Sequence, residues 1–376
     1  MVRKERGFFG KLIVFLLTVL AFIGLAAMGL SIVCPYINPK HFVWIAYFGL
    51  AFWEIFAFNV LVFILLLLMW SRNVWIAVLA LVISIPGIQK SFAFGHSKES
   101  APESMKVISY NVHNFQHVDK EKNTEDFIAQ IVNLVREQSP DVLCCQEFSA
   151  FNPRRTRPQC IADFAEIVGM PYVYYNRKSN YGGNVIFSKY PVQKVTEDSG
   201  FGQENTYGVM VSVDAGERGL FHVANIHLVS FSLTNAEINA ITNSHEIHNS
   251  LDTVGVKVIQ KLKRAYELRS DEVVRMLEGM PPVDGPVIVC GDFNDTPLSY
   301  VYRQMQKAGF TDTFIKAGRG IKPTYGGKLP LLRIDYVWAN DEVQPLRFNR
   351  NHIKASDHYP VLLEFTLNPS KLKTID

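Results

Sequence analysis

The apolar positions change their pattern near residue 90. Before it they run almost unbroken. After it they fall into strand-length runs separated by polar turns and helical repeats. From Leu12 to Pro39 there is no charged residue, and LIVFLLTVLAFIGLAAMGLSIVC alone exceeds the ~20 apolar residues that cross a bilayer core. A second apolar run goes from His41 to Ser71, broken only by Glu54, and a third from Asn73 to Gln89. The pattern predicts a transmembrane region over residues 1–90 with three helices, at about 12–34, 42–70 and 73–89, the last frayed or kinked by SIPG (84–87). The first run follows a basic start as a secretory leader does, but it is too long and two more runs follow.

Residues 91–104, SFAFGHSKESAPES, are small and polar and read as a linker. Beyond them KVISYN, DVLCCQE, GNVIFSKY, YGVMVSVD, LFHVANIHL, PVIVCGDFN, RIDYVWAN and PVLLEFTL have strand composition. TEDFIAQIVNLVREQ (124–138) places Phe127, Ile128, Ile131, Leu134 and Val135 on one helical face, and a second long helix is expected over 256–280. So many strands with few helices between them predict two packed mixed sheets with helices outside, an α/β sandwich, over 105–368, followed by a tail at 369–376.

Charge adds an orientation. Arg3, Lys4, Arg6 and Lys11 precede the first span and Arg72 lies between the second and third. The positive-inside rule then holds the N-terminus in the cytoplasm and exports everything after residue 90, making this an integral protein of an inner or plasma membrane with a periplasmic domain. Trp70 and Trp75 flank the short loop, as interfacial tryptophans do. Glu54 is costly within a span; a carboxyl that is neutral or bonded to a neighbouring helix meets that cost as well as a transport role does. After residue 100 there are 30 Lys and Arg against 32 Asp and Glu. That balance excludes a basic nucleic-acid clamp. The five cysteines show no zinc spacing, and their odd number gives no disulfide framework.

Polar residues gather at strand ends: Asn111 after KVISY, Glu147 after DVLCCQ, His227 after LFHVANI, Asp292 and Asn294 in VIVCGDFN. Alternation puts Asp292 and Asn294 on one side, and sets His227 on the face of Phe221, Val223 and Asn225. Asp295 reads as a turn or cap residue, with Thr296 as N-cap and Pro297 at the first helical position. A lone carboxylate at Glu147 is costly without a partner, and a hard cation with oxygen ligands satisfies it. Asp357 and His358 emerge together before the last strand, and Asp335 is a buried acid able to orient an imidazole.

Taken in order, YNVHNF, QEF, GGNVIFSKYP, NIHL, GDFND, RIDYVWAN and SDHYPV resemble the endonuclease/exonuclease/phosphatase superfamily, the DNase I-like fold, over roughly residues 104–367. The resemblance implies a four-layer α/β sandwich and a Mg²⁺-dependent phosphoesterase, with Mn²⁺ as a substitute ion. It places Glu147 on the metal, with Asn111 and Asp357 near metal and phosphate. It gives Asp292 the attacking water, Asn294 that water or a phosphate oxygen, His358 with Asp335 the phosphate or a proton, and His227 a general-acid or phosphate-binding role. One departure is that Asn205, Thr206 and Tyr207 stand where some relatives carry a phosphate-binding arginine. The polar segment 230–253 is either a border of the site or a surface insertion. The substrate implied is a phosphoester: nucleic acid, a phospholipid headgroup or a small ester. The competing classes are a non-catalytic receptor or scaffold, against which the complete residue set speaks, and a small channel or transporter, for which three spans make a poor pathway.

Overall fold

The computed structural model describes residues 7–95, 97–116, 123–175, 183–195, 200–201, 208–231, 237, 255–327, 331–353 and 355–368. The Arg3–Arg6 basic start, Asn205–Tyr207, most of 230–253 and the 369–376 tail lie outside them. The chain divides into two compact units, residues 1–91 with 296–303, and residues 92–295 with 304–376.

In the first unit, α1 (Phe8–Val33) packs with α3 (Phe52–Leu68) and α4 (Val74–Ile83) through Leu17, Ala21, Val62, Leu66 and Ala77. Asn59 is buried, and its Nδ2 donates to the Gly24 and Ile55 carbonyls at 3.1 and 2.9 Å. Gly24 is required there, since a Cβ would overlap the Asn59 side chain. One helical stretch, Phe8–Tyr36, is long and apolar enough to cross a membrane. The two further expected spans are broken helices: α2 (Trp44–Leu50) meets α3 at 68°, and α4 meets α5 (Ile85–Ser91) at 40°, so three crossings exist only where each bent pair counts as one. Glu54 falls in the first turn of α3, just after the first break.

The second unit is built on two mixed sheets flanked by helices. One sheet has the order β12-β13-β1-β2-β4-β3, formed by Val343–Arg350, Val361–Leu367, Met105–Asn111, Val142–Phe148, Gly183–Ser188 and Tyr172–Tyr175. The other has the order β10-β11-β9-β8-β7-β5, formed by Thr311–Asp312, Asp335–Ala339, Val287–Asp292, Leu220–His227, Gly208–Asp214 and Val192–Lys194, with β6 (Gly200–Phe201) beside β7. Helices α6 (Thr124–Gln138) and α7 (Arg157–Val168) cover the outer face of the first sheet with Phe127, Ile131 and Phe164 against Ile108, Leu143 and Phe187. A capping box between Asn123 and Asp126 starts α6. The amphipathic α8 (Val256–Gly279) falls within the expected span, and α10 (Thr313–Ala317) is a single turn. The helix α9 (Tyr300–Lys307) begins later than expected: residues 296–299 form a turn, and Ser299, not Thr296, caps it by accepting from the Tyr302 N–H at 3.2 Å. Pro345 is tolerated because β12 is an edge strand and bulges there.

Between the sheets lies one apolar layer. Val107, Cys144, Ile186 and Leu363 from one face meet Val211, Val223, Cys290 and Val337 from the other. At the end of that layer the chemistry changes. Asn225, fully buried on β8, crosses to the first sheet and donates Nδ2 to the Cys145 and Val185 carbonyls at 2.9 and 3.0 Å, where the β2–β4 ladder breaks into a bulge. Its Oδ1 accepts from Gln146 Nε2 at 2.6 Å, and its carbonyl accepts from Asn184 Nδ2 at 3.2 Å. Losing a buried partner costs ~1–3 kcal/mol per orphaned group. Asn225→Ala is expected to lower the thermal midpoint of the full-length protein in detergent by roughly 6–12 °C, from a loss of about 3 kcal/mol; a shift within about 2 °C would contradict this role.

Candidate active site

The polar strand ends found in the sequence meet on one rim of the sandwich. In the register, His227 lies opposite Asp292 across the parallel β8–β9 pair, and Asp292 lies opposite Asp335 across the antiparallel β9–β11 pair. The close approach of β8 and β9 depends on Gly291, whose φ is +143° and where a Cβ would overlap the Ile226 carbonyl oxygen. Asp292 is 1 % exposed. Its Oδ2 accepts from Asn111 Nδ2 at 3.0 Å, and its Oδ1 accepts from the Asn294 N–H at 2.9 Å.

Glu147 reaches the same place by a different route. Alternation along β2 points Gln146 into the inter-sheet layer, which would send Glu147 the other way. A bulge between Cys145 and Phe148 and a left-handed φ of 52° at Glu147 turn its carboxylate back. Oε1 accepts from Asn111 Nδ2 at 3.2 Å and Oε2 from Asn114 Nδ2 at 2.8 Å. One amide nitrogen therefore stands between two carboxylates. Asn111 Oδ1 is already engaged by the His113 N–H at 2.9 Å, so this residue is placed as an amide donor to Glu147 and Asp292 and not with its oxygen toward them. His227 Nε2 sits 3.6 Å from Glu147 Oε1 and 3.7 Å from Asp292 Oδ2, buried and, among the described residues, without a hydrogen-bond partner.

His358 is held by Asp335, whose two oxygens lie 3.1 and 2.9 Å from Nδ1, while Nε2 lies 3.6 Å from Asp292 Oδ2. Burial opposes charge on this imidazole, yet Asp335 and Asp292 outweigh it and hold His358 protonated well above the usual histidine range. The Asp292 carboxyl is pushed up by burial, offset in part by His358. Asp292, Asp335 and His358 also place three potential ligand atoms within 4.8 Å of one another. His358 Nδ1–H donates to the Asp335 carboxylate, which makes that group a carboxylate–imidazole pair, and the other carboxylate opening lies at Glu147 and Asp292. Asp357 is half-buried with Oδ1 3.7 Å from His113 Nδ1, and among the described residues it has no hydrogen bond or ion pair with Glu147 or Asp292.

Residues 108–358 match the model of the Endonuclease/Exonuclease/phosphatase family. The chain belongs to this family. Residues 10–91 match a separate family, a domain of unknown function (DUF8431). No curated protein matches the chain. Similar solved structures include an endonuclease/exonuclease/phosphatase from Beutenbergia cavernae (18 % identity, 70 % of this chain and 72 % of that one, TM-score 0.47). A 3′ phosphatase from Neisseria bound to product DNA hairpin (16 %, 69 % and 99 %, TM-score 0.48) and an AP endonuclease from Archaeoglobus fulgidus (15 %, 69 % and 98 %, TM-score 0.46) are also similar.

The strand run through GDFN stops earlier than alternation suggests. β9 ends at Asp292 and Asn294 has a left-handed φ of 53°, so a turn places its amide, and Nδ2 donates to the Leu228 carbonyl at 2.9 Å. Asp295 lies in the turn after β9, one of the two roles its sequence context offers. It is buried and paired with Arg269 of α8 at 3.2 Å, while Arg269 Nε donates to the Val229 carbonyl and Glu272 accepts the Val229 N–H. Together they tie the turns after β8 and β9. Asn114 was not anticipated either: His113, Asn114 and Phe115 all have positive φ, a turn pinned by the Phe115 ring among Phe127, Phe148 and Phe164. The second Asn of YNVHNF, a residue that tolerates αL, was the available signal. Tyr325, stacked edge-on against His358 with ring centroids 5.5 Å apart, carries a phenol pushed up to about 12 by burial and the Asp357 and Asp292 charges.

Asp335→Asn removes the main charge that holds His358 protonated. Its imidazole should then titrate at least about one unit lower, read by NMR of isotope-labelled histidine in the full-length protein; an unchanged midpoint would contradict the assignment of that cause.

Proposed function

We propose that this protein is a membrane-anchored, Mg²⁺-dependent phosphoric ester hydrolase acting on a phosphodiester or phosphomonoester, with Mn²⁺ able to substitute. The observation that carries the reading is the convergence of Glu147 and Asp292 on one amide nitrogen and one unpartnered imidazole nitrogen, 3.6–3.7 Å away. Two carboxylates brought this close repel each other unless a cation or proton intervenes. An opening whose anionic groups are two carboxylates, with no thiolate beside them, fits a hard divalent cation better than zinc. Glu147 would hold the ion, with Asp357 at its phosphate side and Asn111 and Asn114 orienting the carboxylates. When bound, the cation neutralises charge on the non-bridging oxygens of the ester.

The remaining steps belong to the side chains. Asp292, whose raised carboxyl favours proton acceptance, takes a proton from the attacking water. Asn294 fixes the turn that presents it and stands beside the water or a phosphate oxygen. His358, kept cationic by Asp335, places positive charge where the phosphate gains negative charge. His227 is poised as the general acid or phosphate contact. The anchor rests on the Phe8–Tyr36 helix. Lys11 and Arg72 support a cytoplasmic N-terminus and a periplasmic catalytic unit.

Full-length protein in detergent should hydrolyse bis(p-nitrophenyl) phosphate or p-nitrophenyl phosphate with Mg²⁺ and not with EDTA. Asp292→Asn and His358→Ala should each lower kcat about 100-fold or more. Carboxylate forms as pH rises through the raised Asp292 value, and the imidazolium is lost only well above pH ~6.5. The rate should therefore climb from above the usual carboxylate range and fall on the alkaline side. Activity that survives EDTA and both substitutions would contradict the mechanism.

A further inference from the structure

A second polar feature flanks the catalytic rim. Tyr325 pairs with His358 in an isolated antiparallel bridge, the Tyr359 N–H donates to the Thr324 carbonyl at 2.7 Å, and the Gly326 N–H donates to the Asp357 carbonyl at 2.6 Å. The chain from Gly326 back to Lys322 therefore starts at the catalytic histidine and leads away from it. Tyr325 and Lys322 are three residue steps apart, at most about 10 Å of chain.

At the far end two cations, Lys322 and Arg350, meet the His352 imidazole, whose Nε2 accepts from the guanidinium. Lys322 Nζ donates to Asn349 Oδ1 at 3.3 Å, and Arg350 Nη1 donates to the Pro323 carbonyl at 2.7 Å, so each cation reaches the chain neighbour of the other. The Arg350 guanidinium lies 4.7 Å from the Tyr359 ring centroid, its Nη2 meets His352 Nε2, and the His352 ring packs on the same tyrosine with centroids 5.2 Å apart. Arg350 Nε is buried and, among the described residues, without a hydrogen-bond partner. Among the described residues, no carboxylate pairs with Lys322 or Arg350. Burial, and then Arg350, push the Lys322 ammonium below its ordinary value. The cluster borders a polar cavity of about 450 Å³ walled by the Gln130, Asn133 and Asn351 amides and one carboxylate, Glu137.

Cations held together in partial burial repel one another, and an anion between them relieves that cost. Pro323 and His352 each take one N–H of the two Arg350 Nη groups, and the second N–H of each, on a guanidinium lying against Tyr359, suits a phosphate in particular. We propose that Lys322, Arg350 and His352 form an anion subsite that holds a second phosphate of the substrate, roughly 10 Å of chain from the catalytic histidine. The identity of the anion as part of a substrate rests on the hydrolase reading; the subsite itself rests on the cluster. Its effect is selectivity, since an ester with a second phosphate binds more tightly than one without.

The test is calorimetric titration of inorganic pyrophosphate into full-length protein in detergent with EDTA, so that the carboxylate opening repels the probe. Wild-type protein should bind saturably, Lys322→Ala and His352→Ala should each weaken binding about 3- to 10-fold, and Asp292→Asn should not weaken it. Arg350→Lys, which keeps the charge and loses the fork, should fall between. Absence of wild-type binding, or Lys322→Ala binding as wild type does, would overturn the subsite. Hydrolysis of bis(p-nitrophenyl) phosphate, which has one phosphate, should stay within about twofold in Lys322→Ala, and a larger loss would make Lys322 part of the catalytic rim and overturn its assignment. If wild type fails to hydrolyse that ester while Lys322→Ala still loses pyrophosphate binding, the hydrolase reading falls and the anion site stands.

Discussion

A carboxylate taken almost wholly out of water is the constraint around which the site is arranged. Asp292 is 1 % exposed at the end of a strand buried on both faces, and an isolated charge there would cost several kcal/mol. The cost is met by an amide from β1, a backbone N–H of its own turn, and two imidazoles from β8 and the segment before β13. Each of these comes from a different element. The sheets must therefore be in register before the charge is tolerable, and the absence of any one partner is felt by the rest.

That register is enforced one step deeper in the layer. Val107, Cys144, Val223 and Cys290 exclude water, and then the apolar contact gives way to the Asn225–Gln146 network, which joins the two sheets through hydrogen bonds. Apolar packing alone allows small slides between sheets; directional hydrogen bonds across them resist such slides. Because Asn225 engages the Cys145 carbonyl where the bulge begins, the same contact that locks the sheets also supports the turn that re-aims Glu147. Fold stability and the geometry of the two carboxylates are thus carried by shared atoms. The Arg269–Asp295 pair and Glu272 do the equivalent for the turns behind His227 and Asp292.

How much of this was legible depends on whether period or turn geometry decided the position. The β8 face of Phe221, Val223, Asn225 and His227 follows from alternation, and so does the placement of Asp292 at a buried strand end. Glu147 and Asn294 have left-handed φ values, and for these alternation gives either the wrong side or no side. Asn114 and Asp295 work through partners remote in sequence, which a local pattern does not display. Thr296-Pro297 had the chemistry of a helix start, yet the chain turns once more and Ser299 caps the helix. In the first unit, hydropathy marks the apolar runs but is blind to the 68° and 40° breaks within the second and third.

The central claim is that the rim at Glu147 and Asp292 is built for a divalent cation. Mn²⁺ binding to the full-length protein, followed by loss of the free-ion EPR signal at neutral pH, tests it without reference to any substrate. The account predicts saturable binding that Mg²⁺ displaces and that Glu147→Gln weakens by at least about tenfold. Binding that is absent in the wild type, or equal in Glu147→Gln, would contradict it.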